Sequence, residues 1–449
     1  MSAKSSRSAS SGRRSFDESR RLGHRLASLV PGGGHTYAKG ADQYPELSPG
    51  VIERGDGCHV WDADGNEYIE YGMGLRSVTL GHAFPVVTDA VAASLAMGTN
   101  FTRPSTLELE CAEQFLGMMP AAEMVKFTKD GSTATTAAVK LARRATGREM
   151  VALCADQPFL SYDDWFMSTT TMDGGIPAIE RAMTTSFPYN DLGAVRAMFE
   201  AHPGEIAAVI LEPVRTDAPV DGFLEGLREL CTANGAILIF DEMIAGFRYS
   251  LAGGQELFEV TPDLSTFGKA MANGFALSAL CGRRDLMMLG AHDQDDNDVF
   301  LLSTTHGAET TGLAAAIATM RVYETEPVID HLAATGAALA AGLREAAAAN
   351  GLVDHVAPIG FLCNLVYSTL DGDGNPSQEF RSLFLQEMIQ RGVLAPSLVV
   401  SYAHTPTDVA RTVDAFDGAL TVYSRAMEDG AERHLVGRPS RTVFARRWP

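Results

Sequence analysis

The chain has 449 residues, of which 46% are apolar and 20% are charged, an ordinary composition for a globular protein. Its 36 lysines and arginines stand against 56 aspartates and glutamates, which gives a formal net charge of −20. This excess of acid argues against a nucleic acid or an anionic membrane as partner, because both are bound by clustered cations.

Cysteine usage and the N-terminus favour a cytoplasmic location. The six cysteines form no C-x-x-C pair and no metal-ligand spacing, so we expect reduced thiols and no metal site. No apolar run is long enough to span a membrane. Residues 1–15 are rich in serine and arginine and have no apolar stretch behind them, which predicts a disordered tail rather than a secretory signal.

Residues 16–75 predict an N-terminal segment that forms part of a small domain. A helix over 16–29 is followed by an irregular stretch and then by a small β meander. Its first hairpin is indicated by Gly55-Asp56-Gly57 between two short apolar runs. The segment 72–76 is rich in glycine, which lets a backbone approach a ligand closely.

Residues 76–307 predict a large α/β domain. Apolar strand-like runs alternate there with helical patterns, and such alternation produces βαβ units and a mostly parallel sheet. The predicted strands cover 124–128, 149–154, 207–211, 236–240 and 264–267, and the predicted helices cover 85–97, 105–119, 133–146 and 224–233.

Residues 308–449 predict an α+β C-terminal domain. Long helices are expected over 308–324, 328–350, 377–391 and 407–427, and strand-like runs over 353–358, 360–367 and 394–401.

Two strand ends carry the first candidate site. The run 237–240 leads into Asp241, and the run 264–267 leads into Gly268 and Lys269. Because ligands bind at the carboxyl ends of strands in open α/β sheets, Asp241 and Lys269 are predicted to share a cleft. Pyridoxal phosphate (PLP) chemistry needs such a pair: the lysine forms a Schiff base and the acid pairs with the pyridinium nitrogen. Taken alone, the two residues also fit an unrelated strand-end acid and a surface lysine.

A turn at 130–133 is the second candidate site. It joins the strand 124–128 to a helix and contains Gly131, Ser132 and Thr133. Free N–H groups and the positive end of the helix dipole at such a turn suit an anion. A plain hydroxyl N-cap explains the same residues.

In this order the motifs resemble the class III, fold type I, PLP-dependent aminotransferases, within them the glutamate-1-semialdehyde aminomutase-like branch. The resemblance covers the chain from about residue 26. The segment 241–248, D-E-M-I-A-G-F-R, is similar to the family's D-E-V-x-x-G-F-R, and Gly268-Lys269 matches the Schiff-base lysine. The resemblance implies Lys269 and Asp241 as catalytic residues, with Met243 against one face of the cofactor ring.

Further cofactor contacts follow from the resemblance at positions that depart from the family pattern. D-G-S-T-A at 130–134 replaces S-G-T-E-A, which implies phosphate contacts at Gly131, Ser132 and Thr133. Phe159 stands where the ring-stacking tyrosine is usual, and stacking needs only an aromatic face.

Two more positions carry implied roles. Glu212, in an E-P pair, is expected to line the site near the cofactor. Thr305 is matched to the threonine of T-x-S-G-N-P, which reaches the phosphate of the partner subunit. The resemblance therefore implies a homodimer with shared active sites.

The expected substrate rests on departures from the aminomutase branch. P-G-G-G-H-T-Y-A-K at 31–39 replaces P-G-G-V-N-S-P-V-R, so Lys39 stands in place of a carboxylate-binding arginine. Together His35, Tyr37, Lys39 and Arg76 offer hydrogen-bond donors and an aromatic face. This set favours a hydroxylated or aminated sugar aldehyde, as in aminotransferases of aminoglycoside (gentamicin-type) antibiotic biosynthesis and of surface-polysaccharide pathways.

Three hypotheses follow. The first is a transaminase (EC 2.6.1.-) that moves an amino group from a small-molecule donor to a carbonyl acceptor, which we expect to be a sugar. The alternative is glutamate-1-semialdehyde 2,1-aminomutase, which needs no added donor. The third is a doubly wound nucleotide-binding protein without PLP, but the G-x-G-x-x-G it requires is missing after the first strand of the predicted large domain.

Overall fold

A computed structural model of the chain describes residues 14–291 and 299–443. The strands of these residues are β1 (Ile52–Asp56), β2 (His59–Asp62), β3 (Glu67–Glu70), β4 (Met124–Thr128), β5 (Met150–Cys154), β6 (Thr184–Phe187), β7 (Ile206–Leu211), β8 (Ile237–Asp241), β9 (Leu264–Phe267), β10 (Ser278–Gly282), β11 (Pro358–Ile359), β12 (Asn364–Tyr367), β13 (Val393–Leu394) and β14 (Leu398–Val399).

The helices of the same residues are α1 (Asp17–Ala27), α2 (Met73–Arg76), α3 (Pro85–Met97), α4 (Thr106–Met118), α5 (Gly131–Thr146), α6 (Asp164–Met167), α7 (Ala178–Ala182), α8 (Leu192–Ala201), α9 (Phe223–Asn234), α10 (Gly254–Leu257), α11 (Arg284–Met287), α12 (Thr310–Thr325), α13 (Val328–Ala349), α14 (Gln378–Gln390) and α15 (Pro406–Asp429).

The central sheet has the strand order β4-β10-β9-β8-β7-β5-β6. The five strands from β9 to β6 run parallel, and β10 runs antiparallel to both β9 and β4. The predicted α/β fold with a mostly parallel sheet is confirmed. Because β8 and β9 are neighbours in parallel register, their carboxyl ends meet at one edge, where Asp241 lies opposite Thr266.

The central strands are buried on both faces, which explains their continuous apolar runs. In β8, Ile239 packs in the cluster that contains Leu141 of α5, whereas Phe240 packs in the opposite cluster with Leu227 of α9. Helices therefore cover both faces of the sheet, and its strand ends are left as the place for a site.

Two smaller sheets flank the central one. The N-terminal meander β1-β2-β3 is extended by β13, which pairs parallel with β3, and β11-β12-β14 form the other small sheet. The N-terminal segment and the C-terminal part of the chain thus share a sheet. The domain boundaries at residues 75 and 307 stay a prediction.

The predicted tail, 1–15, lies outside the described residues except for Arg14 and Ser15, whose side chains bond Gln390 and Asp17. The strand predicted over 353–358 is wrong for residues 353–357. The Val356 N–H donates to the Leu352 carbonyl in a turn that follows α13, and β11 begins only at Pro358. None of the described helices is long and apolar enough to cross a membrane.

Candidate active site

Asp241 ends β8 and is 4% exposed. Its Oδ1 accepts hydrogen bonds from the Met243 N–H at 3.0 Å and from the Thr266 hydroxyl at 3.3 Å, whereas Oδ2 has no partner among the described residues. Burial raises the pKa of Asp241 to about 6, although Lys269 and the two hydrogen bonds oppose this effect. One carboxylate oxygen is therefore free to pair with a cationic donor.

Lys269 follows β9 and has a φ of +45°, a left-handed conformation that costs roughly 1–2 kcal/mol for a residue with a Cβ. Burial lowers the pKa of Lys269, while Asp241 and Glu212 oppose that shift. A lysine with a lowered pKa supplies the neutral amine that a nucleophile or general base requires. The structure thus brings Lys269 and Asp241 into one electrostatically coupled site.

The turn between β4 and α5 offers free N–H groups. Those of Gly131 and Ser132 lie in the first turn of α5 and have no acceptor among the described residues. Thr133 differs, because Asp130 accepts both its N–H and its hydroxyl at 2.8 Å. The turn therefore suits an anion through Gly131 and Ser132, and both donors of Thr133 are already engaged.

Met243 is buried between this turn and the lysine loop. A Cβ built on Gly131 would lie 3.0 Å from its Sδ, and a Cβ built on Gly268 would lie 2.7 Å from the same atom. The absence of side chains at these two glycines lets the thioether lie between the anion turn and Lys269. The contact of Met243 with a cofactor ring stays a prediction.

Phe159 is 47% exposed, and its ring packs edge-on against Phe166 with centroids 5.8 Å apart. The chain that follows it is tied to the anion turn, since the Tyr162 N–H donates to the Ser132 hydroxyl at 3.0 Å. An aromatic face beside the turn is thus accessible for stacking.

Glu212 follows β7 and is 4% exposed. The Gln157 amide accepts a hydrogen bond from the Glu212 N–H at 2.7 Å and donates one to the Glu212 carbonyl at 2.6 Å. The side-chain Oε2 of Glu212, however, is buried without a hydrogen-bond partner in the described chain. Burial raises the pKa of Glu212 to about 7, and Arg215, whose Nε lies 3.7 Å from Oε1, opposes this. A buried acceptor without a donor indicates that a ligand supplies one.

Arg76 ends α2, a single turn in which Met73, Gly74, Leu75 and Arg76 have φ between +41° and +72°. Three of these residues carry a Cβ, so the turn is strained, as segments at functional sites often are. Burial and the nearby Arg248 and Arg215 lower the pKa of Arg76 to about 10.

The other predicted substrate residues lie elsewhere. His35, Tyr37 and Lys39 are exposed, and the Tyr37 ring packs back on Gly32. None of the three contacts a described residue of the Lys269 site, so their role in substrate binding stays a prediction.

Thr305 lies on an exposed loop, where its carbonyl accepts a hydrogen bond from Asn100 at 3.0 Å. The loop leads to Glu309, the N-cap of α12, which pairs with Lys129 at 2.7 Å. Burial raises the pKa of Glu309, but the bond with Lys129 and the hydrogen bonds from Thr311 and Gly312 outweigh it and bring the pKa down to about 2. The anion turn and the threonine loop are therefore joined.

The comparisons with known proteins agree with this geometry. The model of the family described as aminotransferase class-III matches residues 39–398. The chain belongs to the class III aminotransferase family. The predicted family, fold type I and transaminase class are confirmed.

Among the relatives of this aminotransferase is a glutamate-1-semialdehyde 2,1-aminomutase of Roseiflexus castenholzii, 34% identical over 90% of this chain and 97% of its own length. The FumI protein of Sphingopyxis, solved in a PLP internal aldimine form, is 30% identical with a TM-score of 0.84, covering 92% and 98% of the two chains. A structure described as a transaminase with PLP bound is 25% identical, with a TM-score of 0.83 and 93% and 99% coverage.

Sequence reasoning missed a cavity beside Arg76 in this class III aminotransferase. A cavity of about 310 Å³ is lined by Arg76 together with Tyr44, Arg381 and Arg441. The C-terminal segment that carries Arg441 is fastened in place, since the Arg441 N–H donates to the Asp42 carbonyl at 2.8 Å. No motif links these residues, and about 300 positions separate Tyr44 and Arg76 from Arg381 and Arg441.

Proposed function

We propose that this class III aminotransferase moves an amino group from an amino donor to an aldehyde or ketone, and that the acceptor is a sugar carbonyl. The transfer rests on one observation: Lys269, with a lowered pKa, is electrostatically coupled to Asp241, which keeps one carboxylate oxygen unpaired. No other described pair of an acid and a lysine lies at adjacent ends of parallel strands.

Pyridoxal 5′-phosphate is the cofactor. The residues present fit this cofactor. Asp241 Oδ2 can pair with its ring nitrogen, the N–H groups of Gly131 and Ser132 can bind its phosphate, and the Lys269 amine can form a Schiff base with its carbonyl carbon. When bound, the cofactor withdraws electrons from the substrate carbon beside the nitrogen, which makes that carbon's C–H bond acidic.

The chain's own side chains then handle the protons. With the cofactor bound, Lys269 as a neutral amine would take the proton from the substrate carbon and would deliver it to the cofactor's carbonyl-derived carbon. Asp241, as a carboxylate, keeps the ring nitrogen protonated. Phe159 and Met243 would hold the two faces of the ring, and Glu212 Oε2, which is buried without a partner in the described chain, would accept a hydrogen bond from a bound donor.

A homodimer with shared active sites is the proposed assembly. Large apolar side chains near the anion turn and the threonine loop are exposed in the single chain: Phe101 is 51%, Tyr162 62% and Phe300 64% exposed. Apolar exposure of this kind marks interaction surfaces. Thr305, also exposed, is proposed to bind the partner subunit's cofactor phosphate, which requires the second subunit.

The sugar acceptor, the role in natural-product or polysaccharide biosynthesis and the cytoplasmic location are parts of the same proposal. The polar lining around Arg76 supports a hydroxylated acceptor, because guanidinium N–H groups can bond hydroxyl oxygens. The alternative is glutamate-1-semialdehyde 2,1-aminomutase, favoured by the name and the 34% identity of the Roseiflexus relative.

A two-step reaction on the PLP-loaded enzyme tests the proposal. An amino donor alone should bleach the cofactor's colour and release one keto product per site, and a carbonyl acceptor should then restore the colour and appear as an amine. A panel of sugar aldehydes and ketosugars identifies the acceptor. Isomerisation of glutamate 1-semialdehyde without a donor would favour the aminomutase, and failure of every donor to bleach the wild-type enzyme would refute the transaminase.

A further inference from the structure

The cavity beside Arg76 is positively charged in an acidic protein. Arg76 of α2, Arg381 of α14 and Arg441 of the C-terminal segment all line it, and its described lining contains no aspartate or glutamate. The whole chain carries a net charge of −20, so this lining is a local reversal of sign. Low-dielectric walls concentrate such a field within a cleft.

The donors of this cavity are largely unused. Arg76 donates from Nε to Asn364 Oδ1 at 2.7 Å, and Arg381 donates from one terminal nitrogen to the Pro396 carbonyl at 3.0 Å. No hydrogen bond or ion pair engages the Arg441 side chain among the described residues. Each guanidinium has five N–H donors in a planar fork, the geometry that binds carboxylate and phosphate.

Tyr44 adds a further donor. Tyr44 lines the cavity, and its hydroxyl has no hydrogen-bond partner in the described chain. Burial and Glu70 raise the pKa of Tyr44 to about 12, while Arg381 opposes this, so the hydroxyl keeps its proton at any ordinary pH. A protonated phenol beside Arg381 provides a hydrogen bond to the same acceptor.

Hydrogen bonds link Arg76 of the cavity to Glu212 of the reacting centre. The Asn364 amide that accepts from Arg76 donates to the Tyr249 hydroxyl at 2.7 Å, and this hydroxyl donates to the carbonyl of Arg215, whose Nε lies 3.7 Å from Glu212. The cavity and the reacting centre are therefore neighbours that share Arg76.

We propose that this cavity is an anion subsite in which Arg381, Arg441 and Tyr44 bind the carboxylate or phosphate of the amino acceptor. The inference rests on the proposed aminotransferase function and specifies its substrate class. The acceptor is an acid-bearing carbonyl compound, such as a sugar acid or a sugar phosphate. A polycationic aminoglycoside is disfavoured, because its ammonium groups would meet three arginines that form no ion pair with a described acid.

Matched acceptors test the subsite on the holoenzyme. Glyceraldehyde 3-phosphate is compared with glyceraldehyde, and succinic semialdehyde with butyraldehyde, after loading with an amino donor. We expect a higher kcat/KM for the anionic acceptor of each pair. The pair with the larger ratio of kcat/KM values then shows whether the subsite favours a phosphate or a carboxylate. R381Q and R441Q should each lower kcat/KM for that member by about 10- to 100-fold, through KM, and leave its neutral counterpart within about threefold.

R425Q is the control, since it removes one exposed arginine of α15 that does not line the cavity. R381K should recover part of the affinity lost in R381Q, and R441Q changes an exposed side chain whose loss leaves the packing intact. Calorimetric binding of 3-phosphoglycerate and of succinate, against glycerol, gives a measure that needs no turnover.

Equal losses for anionic and neutral acceptors in both variants, or no binding of either anion by the wild-type holoenzyme, would overturn the subsite. The proposed function would survive that result if an amino donor still bleached the cofactor. Failure of the donor step would instead count against the function itself.

Discussion

Replacement of Asp241 by asparagine is expected to stabilise the cofactor-free protein while it removes activity. Burial places the pKa of Asp241 at about 6, against an ordinary value of 3.8. The folded state therefore binds more protons than the unfolded state between about pH 4 and pH 6, and the free energy of unfolding falls as the pH rises through this window. The loss amounts to roughly 3 kcal/mol at 1.36 kcal/mol per pKa unit.

D241N cannot ionise and so avoids this loss. At pH 8 the apo variant should exceed the apo wild type in free energy of unfolding by up to about 3 kcal/mol, and the difference should shrink toward pH 4. Urea denaturation of both proteins, stripped of cofactor, measures it at each pH. The loaded variant should lose at least about 100-fold in kcat, because an amide does not hold the ring nitrogen protonated.

The matched control is D263N. Asp263 is as buried as Asp241, but it pairs with Arg228 and Arg283 at 2.8 Å each and accepts the Leu238 N–H at 2.8 Å. Its replacement should destabilise the fold by about 3 kcal/mol, since it removes the acidic partner of Arg228 and one of the two acidic partners of Arg283. If D241N destabilised the apo protein at pH 8 as D263N does, the argument from burial would be refuted.

Three further predictions concern neighbouring positions. K269A should reduce amino transfer by about 10⁴-fold without lowering the melting temperature, and retained turnover would remove Lys269 from its role. T305A should weaken PLP affinity about tenfold in a titration of the apoenzyme, because it loses a hydrogen bond to the cofactor phosphate of the partner subunit. If T304A weakened the affinity and T305A did not, the phosphate contact would belong to Thr304 instead. G268A should cost about 1–3 kcal/mol in denaturation, because the new Cβ would lie 2.5 Å from the Ser278 hydroxyl, and unchanged stability would contradict this packing.

Helix boundaries were predictable from the sequence where the residues at the helix ends have restricted or left-handed backbone conformations. The helix over 85–97 agrees residue for residue with α3, because Pro85 suits the first turn and Gly98, with a φ of +105°, ends it. By contrast β10, Ser278–Gly282, went unrecognised. It is buried throughout, its sequence S-A-L-C-G has no β-branched residue, and its antiparallel direction is set by its two neighbours rather than by its own pattern.

The site divides in the same way. Asp241 and Lys269 were predictable because adjacent parallel strands deliver them to one edge, and a local motif surrounds each. Arg381 and Arg441 were not, because they reach the cavity from α14 and from the C-terminal segment, and no spacing rule connects them with Arg76. Of the segment 35–39, only Ala38 lines that cavity.

The C-terminal segment has a practical consequence for handling the protein. Ser440, Arg441 and Thr442 form part of the cavity wall, and Ser440 is held there by a hydrogen bond between its N–H and the Ser382 hydroxyl at 2.8 Å. Any change to residues 440–442 therefore alters the wall of the cavity. Kinetic constants should therefore be measured on protein in which mass spectrometry shows this segment to be intact, because proteolysis before residue 440 would remove one of the cavity's three arginines.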